Sequence, residues 1–184
     1  MTTALIVIDV QQSFAERPYF ETDGLSAYLD AQNRLIEGFE AAGLPIVRVF
    51  HVQPDPTGAD VFSLESGYVR PLAGLRDFAA DLTVHKTRHS ALVGSGLDVW
   101  LTQQGVRQLV VSGIRTEQCC ETTARVASDL GYAVDFVTEA TLTFAMTHPR
   151  DGRVYDSAEI KARTELVLAD RFARIATVET ALAA

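Results

Sequence analysis

"QLVVSGIRTEQCCETTARVASDLGYAVDFVT" (residues 108–138) reads as strand, helix, strand. "QLVVSG" (108–113) and "AVDFVT" (133–138) are β-rich runs with apolar residues at consecutive positions, as in strands covered on both faces. Between them Ala124, Ala127 and Leu130 share a helical stripe, and Gly131 ends it. Two strands joined through a helix pair parallel, with a right-handed crossover.

The same alternation continues in both directions. "ALIVID" (4–9), "PIVRVF" (45–50), "LTVH" (82–85) and "RIATV" (174–178) supply four more strands. Leu25, Tyr28, Leu29, Leu35, Ile36 and Phe39 form one helical stripe that Gly43 stops. Leu97, Trp100 and Leu101 mark a shorter helix, and Ser157 caps another that runs to about Ala169. These elements predict an α/β fold, a three-layer α/β/α sandwich around a six-stranded, mostly parallel sheet. With no repeat, low-complexity tract or linker, residues 1–184 read as one domain.

Composition narrows the function. The chain is 47% hydrophobic with six prolines, an ordinary globular balance. A net charge of −8 without a Lys/Arg cluster argues against nucleic acid or an anionic membrane as partner. No apolar run approaches the roughly 20 residues that span a bilayer. The start, "MTTALIVIDVQQSF", has no basic stretch and carries an acid in its apolar run, unlike a signal peptide. The only two cysteines are adjacent, Cys119 and Cys120, and neighbours are awkward disulfide partners. A reducing cytoplasm is the setting expected.

In an open α/β sheet, ligands bind beyond the carboxyl ends of the strands. Three such ends carry reactive groups: Asp9, Lys86, and the Cys119–Cys120 pair just beyond the fourth strand. Taken singly, each has an ordinary reading, as a turn-capping acid, a solvated lysine or a small core thiol. Thr116 as N-cap places Cys119 in the first helical turn, where free N–H groups and the helix dipole favour a thiolate. Cys120 shares the stripe of Ala124 and Ala127. Cys119 is turned from it by about 100°, which favours Cys119 as nucleophile while leaving the reverse arrangement open.

Taken together, "IDVQQSF" (Asp9, Gln11, Phe14), "HKTRHSAL" (Lys86, Ser90, Ala91), "VVSGIRTEQCCETTA" (Gly113, Thr116, Cys119, Thr123, Ala124) and "DLGYAVDFVTEA" resemble the isochorismatase-like cysteine hydrolases. The resemblance spans nearly the whole chain and weakens after residue 140. It implies a Cys119–Asp9–Lys86 triad, with the nucleophile three residues after Thr116. It also implies a non-proline cis peptide at Ile114–Arg115, which would aim the N–H of Arg115, with that of Cys119, at an oxyanion. Asp9 would take the Cys119 proton, Lys86 would stabilise the charges, and a thioester would form and be hydrolysed without metal or other cofactor. The expected reaction is cleavage of an amide, ureido or carbamoyl C–N bond of a small molecule. Phe14, Gln11 and Tyr68 are expected to contact the substrate, and a homodimer or homotetramer is expected.

The chain also departs from the family. Nicotinamidases resemble one another in an Asp-x-His…His metal site, whereas "FHVQPDPTGADVFSLESGY" here has one histidine, His51, and none follows before His85. That argues against a metal and against nicotinamidase activity. His51 reads as structural, and His85, His89 and His148 are ambiguous. Arg115 stands where the family has small residues; its side chain would face a partner subunit or an anionic group on the substrate. Vinyl ether cleavage, as in isochorismatase, stays open beside C–N hydrolysis. A thiol-redox protein would use Cys-x-x-Cys, and a silent binding module on the same fold would have no need of Asp9 and Lys86.

Overall fold

The computed structural model describes residues 2–183. Six strands form one sheet: β1 (Thr2–Ile8), β2 (Ile46–His51), β3 (Leu82–Lys86), β4 (Val106–Ile114), β5 (Ala133–Leu142) and, after a hairpin, β8 (Arg174–Ala176). Their order is β3-β2-β1-β4-β5-β8, and every neighbouring pair is parallel. β1 shows why the sheet is buried on both sides. Leu5 and Val7 pack with α1 (Leu25–Ala42) and α5 (Val178–Leu182), while Ala4, Ile6 and Ile8 pack with α2 (Leu97–Gln103), α3 (Glu121–Asp129) and α4 (Ser157–Leu168). The result is the expected three-layer α/β/α sandwich.

Several element ends differ from the sequence reading, each for a local reason. The cap of α4 is Asp156, not Ser157: its carboxylate accepts from the Glu159 N–H, and Glu159 returns the bond. β8 stops at Ala176 because Thr177 caps the short α5. Leu130 lies beyond the end of α3 and is exposed. Residues 141–156 hold a small antiparallel hairpin, β6 (Met146–Thr147) with β7 (Val154–Tyr155). Among the described residues, no helix is long and apolar enough to cross a membrane.

Strand order reverses between β1 and β4, and ligands of open parallel sheets bind at such a switch point. Ile8 and Gly113 are paired there. A Cβ built on Gly113 would lie 1.9 Å from the Ile8 carbonyl oxygen, and the residue's φ of +128° is one that side chains avoid. We expect Gly113→Ala to lose more than about 4 kcal/mol of stability or to fail to fold, read as the urea midpoint. A midpoint within error of wild type would mean that β1 and β4 separate there at little cost.

Candidate active site

Asp9, Lys86 and Cys119 come from three strand ends and meet in one buried cluster. Asp9 follows β1 directly, and its N–H donates to the Val49 carbonyl at 2.8 Å. Its φ of 53° is left-handed, a region that Asp tolerates better than bulkier residues. Lys86 closes β3, which β2 holds two places from β1 in the sheet. Its Nζ lies 2.7 Å from Asp9 Oδ2, and neither side chain is exposed. The same Nζ donates to the Arg88 carbonyl at 3.0 Å and to Cys119 Sγ at 3.3 Å.

Cys119 sits differently from expectation. Thr116–Cys120 is one wide π-helical turn ahead of α3, in which the Cys120 N–H reaches back to the Arg115 carbonyl at 3.2 Å. Thr116 does not cap it; its hydroxyl donates to Thr141 Oγ1 at 2.8 Å. Burial first, then the Asp9 charge, push Cys119 well above the ordinary thiol range, with Lys86 opposing only in part. Cys119 is therefore a resting thiol. Asp9 is also raised, by burial, against the pull of Lys86. The two shifts are coupled: once Asp9 takes the sulfur's proton, the negative charge that opposed a thiolate is gone, and Lys86 stays beside both.

Cys120 is fully buried among Ala124, Ala127 and the sheet, as its stripe predicts. Both cysteines are free thiols. The Ile114–Arg115 peptide bond is cis.

The residues expected to touch substrate are placed less simply. Gln11 is fully buried and braces the chain instead. Its Oε1 accepts from the His51 N–H at 2.8 Å, and its Nε2 donates to the His51 carbonyl at 3.0 Å and to Ser13 Oγ at 2.9 Å. With both ends of its amide engaged, Gln11 is corrected from a substrate contact to a support. Phe14 is buried edge-on against Phe62, which in turn meets the His51 ring at 5.7 Å. Tyr68 enters through its carbonyl, which accepts from both Ser13 N and Ser13 Oγ at 3.1 Å.

Two histidines lie at this cluster: His51, which the sequence read as structural, and His89, which it left ambiguous. His51 Nδ1 lies 3.3 Å from Lys86 Nζ, and its Nε2 lies 3.0 Å from Gln53. Burial and then the Lys86 charge lower its pKa to about 4, so near neutral pH its ring is uncharged and can accept from the ammonium. Both its nitrogens have protein partners, and among the described residues no group of three His, Cys, Asp or Glu side chains is placed to hold a metal. His89 Nδ1 is 3.8 Å from Cys119 Sγ. No spacing signal links His89 to Cys119, because thirty residues of chain, including α2 and β4, separate them.

The Arg115 side chain is paired within the chain. It is 3.1 Å from Glu117 and lies against the Tyr19 and Phe144 rings. Glu117 also accepts from the Thr143 hydroxyl at 2.6 Å.

Residues 3–169 match the isochorismatase domain, and the chain belongs to that family of hydrolases. It is 30% identical to nicotinamidase 3 of Arabidopsis thaliana over 77% of this chain and 73% of that one. With a ureidoacrylate amidohydrolase of Variovorax paradoxus it shares 27% identity, over 76% of this chain and 68% of the relative. A crystal structure described as a hydrolase of the isochorismatase family, from Chromobacterium violaceum, superposes with a TM-score of 0.89 at 25% identity, covering 99% of this chain and 92% of that one.

Proposed function

We propose that this hydrolase cleaves a C–N bond of a small amide, ureido or carbamoyl compound, with Cys119 as nucleophile and no metal in the reaction. The observation that carries this reading is the buried contact of Lys86 Nζ with both Asp9, at 2.7 Å, and Cys119 Sγ, at 3.3 Å. A carboxylate, a thiol and an ammonium at these distances form a proton-transfer unit for thioester chemistry. Asp9 accepts the thiol proton as sulfur attacks the carbonyl. Lys86 keeps the cluster's charge balanced, and the N–H groups of Arg115 and Cys119 receive the oxyanion; one such donor is worth about 2.7–4 kcal/mol of barrier. The amine leaves and water releases the acid. Two of the named relatives are amide-bond hydrolases, which supports the C–N assignment.

The test is ammonia release from a panel of small amides, ureido acids and carbamoyl acids, with nicotinamide included and a chelator present. We expect release that survives the chelator and falls at acid pH. Its acid limb should lie above pH 3.8, the ordinary aspartate value, because burial raises Asp9 and only the ionised carboxylate can take the thiol proton. Release lost on chelation would overturn the metal-free mechanism. Silence on the whole panel with cleavage of a vinyl ether would move the chain to isochorismatase chemistry.

A further inference from the structure

All three groups of the proposed proton-transfer unit, Asp9, Lys86 and Cys119, are enclosed by the protein. Asp9 and Lys86 are buried, whereas His89 is exposed and sits 3.8 Å from Cys119 Sγ. His89 is thus an exposed, titratable side chain next to the sulfur, where a substrate arriving from solvent would meet it.

His89 is exposed, yet the chain around it is pinned at both ends. On one side the Arg88 carbonyl accepts from Lys86 Nζ at 3.0 Å. On the other the Ala91 N–H donates to Thr123 Oγ1 on α3 at 3.0 Å, and Ser90 between them is buried. The lysine that contacts the nucleophile thus also folds the loop that brings His89 to it.

We propose that His89 is a second acid–base residue of the site, serving the leaving group and the water while Asp9 serves the sulfur. The proposal rests on the C–N reading above. In acylation the Cys119 proton passes to Asp9, the S–C bond forms, and the C–N bond breaks as imidazolium His89 gives its ring proton to the departing amine. In deacylation water attacks the thioester, its proton goes to neutral His89, and the C–S bond breaks as sulfur recovers its proton from Asp9. The sum is amide plus water giving acid plus amine, with both groups returned to their starting states.

The test compares wild type with His89→Gln on two substrates of one acyl group: the panel amide turned over fastest, and the p-nitrophenyl ester of the same acid. The nitrophenolate leaves without a proton, and its burst reports acylation alone. We expect His89→Gln to lose about 10²-fold or more in amide acylation and to keep the ester burst within a few-fold. Iodoacetamide should label Cys119 as fast as in wild type. Equal losses on amide and ester, or no loss on either, would overturn the role of His89. A wild type that takes the ester but no amide would instead overturn the C–N reading.

Discussion

Replacing Cys119 with alanine is expected to reduce turnover by at least about 10³-fold, while Cys120→Ala leaves kcat/KM nearly unchanged. The difference is positional, since the two thiols are neighbours in sequence. Cys119 Sγ takes a hydrogen bond from Lys86 and lies beside the exposed His89. Cys120 is fully buried against Ala124 and Ala127, where its sulfur fills space and meets no substrate. Removing that sulfur leaves a small void worth about 1 kcal/mol. Steady-state kinetics and the urea midpoints of both variants, with mass-spectrometric mapping of iodoacetamide labelling, make the comparison. Loss of turnover in a folded Cys120→Ala with retention in Cys119→Ala would reverse the assignment.

The second large effect concerns the buried pair beneath the sulfur. We expect Asp9→Asn and Lys86→Met each to abolish turnover and to cost about 3–5 kcal/mol of stability, because each leaves its partner buried without an opposite charge. The double variant, which buries no charge at this place, should recover most of the stability and none of the turnover. The pH dependence separates the singles. In Lys86→Met the largest influence opposing the burial of Asp9 is gone, so its pKa rises further above the unfolded value than in wild type. A carboxyl raised in this way stabilises the fold below its unfolded pKa, and that stability is lost as pH rises through the folded one. Lys86→Met should therefore approach wild-type stability at acid pH and fall away from it toward neutrality. A double variant no more stable than either single would show that the pair supports the fold by more than mutual neutralisation.

Much of this molecule is legible in the order of its residues. The strands reveal themselves because both faces are buried, which forces apolar residues onto consecutive positions. The α1 stripe is visible because one side alone meets the sheet. Asp9, Lys86 and Cys119 each have an ordinary reading singly, and stand out because all three end or follow strands and together match the pattern of one family. Chain separation hid the rest. The resemblance through "IDVQQSF" set Gln11 among the substrate contacts, yet the backbone of His51, forty residues on, engages its amide. His89 looked like one of several indifferent histidines until the Lys86–Arg88 contact and the Ala91–Thr123 bond placed it 3.8 Å from the sulfur.

Local periodicity, turn residues and the positions of reactive side chains at strand ends determine the layers, the sheet and the three groups of the cluster, since each depends on nearest neighbours along the chain. Which way the proton rests is decided by the tertiary structure alone. The sequence pointed to a helix end that would ionise Cys119. Folding instead encloses the sulfur and sets Asp9 beside it, and desolvation together with that charge pushes the thiol's pKa up. Burial and through-space charge depend on distances between residues far apart in the chain, and those exist only once the strands are side by side.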